Sequence, residues 1–318
     1  MTITETRTVE APRAVAALAI DTADLAKRYG RLTALAGLTM SVPRGEIFGF
    51  LGPNGAGKTT AVKLLVGLIR PTSGFGMVLG APIGDRDARR RIGYLPELFR
   101  YQDWLTAREV LSLHCRLGGI PSINRPGEID AALDTVGLVR RADERVGTFS
   151  KGMQQRLGLG VALLGKPDLV FLDEPTSALD PVGRHDVREV IRALKQRGTT
   201  VFLNSHLLSE VEQVCDRVAV VDEGRVIAIG AMGDIIGESA TVHVRADGLT
   251  SAAEQTLQRF GALTVEAGWY AFQGVEQAEV PNLVAEIVRL GGRVHGVERR
   301  HDTLESRFLS LLERRGQA

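Results

Sequence analysis

The chain has 318 residues, enough for one large domain with a small companion and for a sizeable buried core. Its 44% hydrophobic and 24% charged residues are an ordinary globular composition, and a net charge of +1 gives no electrostatic reason to expect a nucleic-acid partner. No apolar run approaches the roughly 20 residues that cross a bilayer.

Residues 1–16 read as a loose tail. The apolar stretch 14–20 lacks the basic start and cleavage site of a secretory signal, and it runs into Asp21-Thr22-Ala23-Asp24-Leu25, a first strand. Residues 17–94 alternate short apolar strands with turns. Among them Ile47-Phe48-Gly49-Phe50-Leu51 reads as a buried strand and residues 60–68 as a helix, with Gly52-Pro53-Asn54-Gly55-Ala56-Gly57-Lys58-Thr59 between them. Glycines there let successive N–H groups curl inward at an anion, and the following helix adds its unpaired N–H groups and dipole. Lys58 can reach the β- and γ-phosphates of a nucleoside triphosphate, and the Thr59 hydroxyl can ligate Mg²⁺. Strand before and helix after make an incidental Gly-rich turn the weaker reading.

From about residue 96 to 165 the pattern turns helical, as in Val110, Leu111, Leu113 and Leu117, and reads as a helical insert. Cys115 lies in that apolar run and reads as a buried thiol; Cys215 lies far off, with no metal-ligand spacing between them. The Arg89-Arg90-Arg91 and Arg299-Arg300 runs read as solvated faces. Phe149-Ser150-Lys151-Gly152-Met153-Gln154-Gln155-Arg156 precedes an apolar helix, and Ser150 with Gly152 at its start can bind an anion by the same dipole argument. The strand 169–172 delivers Asp173 and Glu174 to its C-terminal end, where a parallel sheet gathers its ligands. Asp173 is placed to hold Mg²⁺ and Glu174 to act as general base on a water. A helix over 183–196 leads to a strand over 200–203 and to His206, which that neighbouring strand brings to the γ-phosphate edge. Residues 218–221 and 225–229 form a hairpin across Asp222-Glu223-Gly224.

Residues 239–318 form a separate accessory region. Strands are expected at 241–245, 269–273 and 294–297, and helices at 252–260, 279–290 and 303–312, an α+β alternation of ferredoxin-like type. Leu304, Phe308 and Leu311 line one face of the last helix, with Asp302 as N-cap and Glu305 completing a box.

Taken together, residues 20–235 resemble the ATP-binding subunit of an ABC transporter. The resemblance implies an α/β P-loop cassette over 17–238, with a mixed core sheet and a helical subdomain at about 96–165. Gly52 to Thr60 then correspond to the Walker A loop, so that Gly52, Pro53, Asn54, Gly55, Ala56, Gly57, Lys58, Thr59 and Thr60 bind ATP. Tyr29 corresponds to the aromatic that stacks on adenine, and residues 169–173 to Walker B with Glu174 as catalytic base. Residues 149–153 correspond to the signature, Ser177-Ala178-Leu179-Asp180 to the D-loop, and His206 to the switch histidine. The resemblance further implies a homodimer in which Ser150 and Gly152 act on the partner's ATP, a separate membrane permease chain, and a cytoplasmic position on the inner face of the membrane. Lys151 stands where the signature carries a second Gly, and Met153 where it carries Gln. Glu97, in Tyr94-Leu95-Pro96-Glu97, stands where the family places a glutamine that ligates Mg²⁺, so the implied metal residues are Thr59, Glu97 and Asp173, with Glu97 adding negative charge beside the ion. These segments, with Leu304-Glu305-Ser306-Arg307-Phe308-Leu309, resemble the exporter ATPases of the ABC-2 group, whose cargoes include drugs, lipids and polysaccharides. The alternative is a soluble ABC-type ATPase acting on ribosomes or DNA. Against it stand a single phosphate loop and the lack of a long coiled-coil insertion.

Overall fold

The computed structural model describes residues 17–237, 240–301 and 303–316. The expected tail at 1–16, the expected boundary at 238/239 and the expected Asp302 cap lie outside the described residues.

Ile47–Leu51, Leu169–Asp173 and Thr200–Asn204 are buried at every position. Short continuous apolar runs of this kind suit parallel strands covered on both faces. They pair in parallel in the order Arg217–Asp222, Ile47–Leu51, Thr200–Asn204, Leu169–Asp173, Ile92–Leu95. A wing made of Arg225–Ala231, Leu32–Pro43, Leu18–Tyr29, Ser73–Val78 and Ala81–Pro82, antiparallel but for its first pair, extends this to ten strands. The wing joins through Arg225–Ala231, the second arm of the expected hairpin, which meets Leu32–Pro43 in parallel at Arg225 and Gly37. The sheet is therefore mixed, as expected. The first strand runs from Leu18 to Tyr29, well beyond the expected segment.

Phe202 packs its ring 5.1 Å from Phe50 and from Phe171, and 5.7 Å from Phe48. On this cluster the helix Lys58–Leu65 buries Ala61, Val62, Leu64 and Leu65. Aromatic burial thus fixes the helix whose N-terminus follows the phosphate-loop motif. The helix starts two residues before the expected position and ends three residues earlier.

The helical insert contains Ala107–Leu117, Arg125–Thr135 and Lys151–Ala162. Thr106 and Glu109 form a reciprocal capping box at the start of the first. Val110, Leu111 and Cys115 are buried there, whereas Leu117, expected in the same stripe, closes the helix and is 73% exposed.

Ala262–Glu266, Trp269–Gln273, Ala240–Asp247 and Arg293–His301 form a second sheet in that order, with every pairing antiparallel. Helices Ser251–Leu257 and Val280–Arg289 connect its strands and bury Leu257, Leu283 and Ile287 against Val242, Val244 and Phe272. This is the split β-α-β order of the expected alternation. Ala262–Glu266 escaped sequence reading because it is an edge strand without a buried side, its residues exposed except for half-buried Leu263.

The last helix, Leu304–Gly316, departs from expectation. Instead of joining the second sheet, it returns to the first core. Leu304 is fully buried among residues that include Val211, Val214 and Ile235, and Phe308 packs on the same cluster. The Leu304 N–H donates to Glu212 Oε2 at 3.0 Å. Thr303 and Ser306 bond reciprocally at its start. Thr303 Oγ1 accepts from the Ser306 N–H at 3.2 Å, and the Thr303 N–H donates to Ser306 Oγ at 3.1 Å.

Candidate active site

The loop after Ile47–Leu51 is shaped by what its glycines admit. Gly57 sits at φ 97°, and a Cβ there would lie 2.5 Å from the Ala34 carbonyl oxygen. A Cβ at Gly52 would lie 2.2 Å from the Val221 carbonyl oxygen. Only glycine combines that dihedral with that approach. Lys58 curls back over the loop, its Nζ donating to Gly52 O at 2.7 Å and Pro53 O at 3.1 Å. The Ala56 N–H donates to Pro53 O at 3.2 Å, and Ala56 O accepts from the Gly224 N–H at 2.9 Å, so the hairpin turn buttresses the loop. No side chain caps the helix that follows. Its opening N–H groups are free for an anion. Burial lowers the Lys58 pKa, while the Glu174, Asp173 and Glu97 carboxylates oppose that shift.

Across the cleft, the parallel register sets Asp173 beside Asn204. Asn204 Nδ2 donates to Asp173 Oδ1 at 2.5 Å, and Asn204 O accepts from the Glu174 N–H at 2.8 Å. Glu174 adopts φ 54°, a left-handed turn at a non-glycine residue. Such strain gathers at functional sites. Its Oε1 accepts from the His206 N–H at 2.9 Å, and its Oε2 lies 2.7 Å from His206 Nδ1. Asp173 is 2% exposed. Burial raises its pKa, against the Asn204 hydrogen bond, and the Glu97 and Glu174 charges raise it further. Burial and the Asp173 and Glu97 charges push the nearby Tyr94 up to about 12.

These groups line one cleft of about 440 Å³. It brings together Asn54, Gly55, Gly57, Lys58, Thr59 and Thr60 from the loop with Glu97, Asp173, Glu174 and His206. Gly52 and Pro53 take part through the carbonyls that hold Lys58, and Ala56 is buried beneath. Tyr29 does not line the cleft. The residue is 48% exposed, with Lys27 Nζ 5.0 Å from the ring centroid, and Leu32, Thr33 and Ala34 form part of the cleft wall. Ser150 and Gly152 are elsewhere, in a groove shared with Ala178, Leu179 and Asp180. Ser150 caps its helix by accepting from the Met153 N–H at 3.2 Å. One copy of the chain therefore does not bring Ser150 to Lys58.

Sequence reading missed two buried amides. Besides Asn204, Gln155 Nε2 donates to Glu174 O at 3.3 Å and ties the helix Lys151–Ala162 to the acidic edge. A polar residue inside an apolar helix was the only available hint. Among the described residues no three His, Cys, Asp or Glu side chains converge as a metal site. Oxygen donors from one carboxylate and one hydroxyl, Asp173 and Thr59, suit Mg²⁺, which is commonly held through few protein ligands plus substrate phosphates.

Residues 35–177 match the family model described as ABC transporter. Over 302 residues the chain is 40% identical to an uncharacterised ABC transporter ATP-binding protein of Nostoc sp., covering 92% of this chain and 89% of that one. It is 42% identical over 214 residues to a Nod factor export ATP-binding protein of Burkholderia orbicola, covering 67% and 70%. A solved ATP-binding subunit of an ABC transporter superposes with a TM-score of 0.63 at 32% identity, over 68% of this chain and 91% of that one. A P-loop cassette with an acidic strand edge is the class that the fold defines. The chain belongs to the ABC transporter family, as an ATP-binding subunit and an ATPase. No helix among the described residues is long and apolar enough to cross a membrane.

Proposed function

We propose that the chain binds MgATP, closes as a homodimer over two nucleotides and drives export through a separate permease chain, from the cytoplasmic face of the membrane. One observation carries this reading: Lys58, Asp173 and the Glu174–His206 pair share a cleft from which Ser150 and Gly152 are absent. A site with a phosphate loop but without its second anion-binding helix start is half a site, and a second copy supplies the rest.

In this reading the loop N–H groups from Asn54 to Thr60 and the Lys58 ammonium bind the β- and γ-phosphates, and Tyr29 contacts the adenine from outside the cleft. Thr59 and Asp173 hold Mg²⁺, which offsets phosphate charge when bound, and Glu97 adds a carboxylate beside it. Glu174 takes a proton from the water that attacks the γ-phosphorus as the bond to the ADP oxygen breaks. His206 holds the Glu174 carboxylate in place through its backbone N–H, with its ring nitrogen 2.7 Å from the other carboxylate oxygen, and faces the forming phosphate. Export, rather than import, is supported by likeness to the ABC-2 group and by the Nod factor export relative; the cargo class is drug, lipid or polysaccharide. The match to a transporter subunit over 92% of this chain favours a transporter over an ATPase acting on ribosomes or DNA.

Two variants test the reading. Lys58→Ala is expected to lose tight ATP binding. Glu174→Gln is expected to keep ATP binding while hydrolysis falls by about 10²–10⁴-fold. Hydrolysis by Glu174→Gln at the parent rate would remove Glu174 as the base.

A further inference from the structure

We infer that Asn204 is a positioning residue for the divalent cation, fixing Asp173 with its amide N–H and offering its carbonyl oxygen to the hydrated cation. The inference rests on the reading above that Asp173 holds Mg²⁺.

Asn204 ends the strand Thr200–Asn204 and is 3% exposed, yet it lines the cleft with Lys58, Thr59, Glu97, Asp173 and Glu174. It holds the end of the neighbouring strand at two points: its Nδ2 donates to the Asp173 carboxylate, and its backbone carbonyl accepts from the Glu174 backbone N–H. An ionised carboxylate only accepts, so the donor end of the amide must face Asp173. That leaves Asn204 Oδ1, a buried acceptor with no partner. Leaving such a group unpaired is costly, so a buried orphan oxygen on a ligand cleft calls for a donor from the ligand. Among the charged groups of the cleft, Lys58 already donates to two loop carbonyls. A hydrated divalent cation beside Asp173 is a source of further O–H donors, because Mg²⁺ keeps several waters when bound. Sequence alone hides this role, since Asp173 and Asn204 meet only through the strand register.

Groups that orient a metal ligand are worth about 10–100-fold in metal affinity or activity. The test is Mn²⁺ binding to the purified full chain with ATP, read by electron paramagnetic resonance, beside binding of a fluorescent ATP analogue in EDTA. Asn204→Ala is expected to weaken Mn²⁺ binding by about tenfold or more while metal-free nucleotide binding stays within about twofold. Asn204→Ser, which keeps a small polar group, is measured in parallel and decides the matter if the alanine variant does not fold. Asp173→Asn serves as the reference. If it loses Mn²⁺ while both Asn204 variants retain parent affinity, the Asn204 inference falls alone. If Asp173→Asn also binds Mn²⁺ like the parent, the reading of Asp173 falls with it. Equal losses of Mn²⁺ and metal-free nucleotide in a folded Asn204 variant would show a merely structural role and overturn the inference.

Discussion

Ionising Asp173 costs the fold stability. Burial raises its pKa above the unfolded value, with Glu97 and Glu174 adding to the shift. A carboxyl that binds its proton more tightly when folded makes the fold lose stability as pH rises from the unfolded pKa through the raised folded one. Asp173→Asn removes that charge and keeps an acceptor for Asn204. It is expected to raise nucleotide-free stability by about 0.5–2 kcal/mol at pH 7.5, with the gain shrinking as pH falls toward the carboxylate range, while hydrolysis is lost. Thermal melts across pH check this, and a lower melting point at pH 7.5 would contradict it. The residues that make this edge were unequally legible. Lys58, Asp173 and Glu174 announce themselves through contiguous motifs. Asn204 and Gln155 act across 31 and 19 residues of sequence, and only the fold reveals their partners.

At the scale of elements, the short buried strands and the helix after the phosphate loop were readable because local periodicity and burial agree there. The edge strand Ala262–Glu266 was not, because it buries almost nothing. The helix Lys151–Ala162 illustrates an element with two duties. Ser150 caps it, and the same helix start is exposed in the groove beside Asp180. Ser150→Ala is expected to cost about 0.5–2 kcal/mol in the isolated chain through the lost cap. It should also lower hydrolysis under dimerising conditions by more than the stability loss explains. Urea unfolding and ATPase assays on one preparation separate the two effects; a stability loss with an unchanged ATPase rate would leave Ser150 a cap and nothing more.

Across the whole molecule, the chain closes on itself in a way the sequence did not show. Apolar spacing gave the last helix its buried face, but not the surface that receives it. That surface is the helix Leu208–Val214, directly after His206, together with Met232–Ile236. Leu304→Ala is expected to destabilise the phosphate-binding unit itself by about 2–5 kcal/mol, because the cavity opens in its core. Urea unfolding followed by a bound fluorescent nucleotide reads this out, and an unchanged midpoint would refute the packing. The central claim is that one copy supplies half of each catalytic site. Sedimentation velocity of Glu174→Gln with and without MgATP tests it most directly. The account predicts a monomer without nucleotide, a dimer with MgATP, and no dimer when Ser150→Arg is added. A nucleotide-saturated Glu174→Gln that stays monomeric at every concentration, or a dimer indifferent to Ser150→Arg, would contradict it.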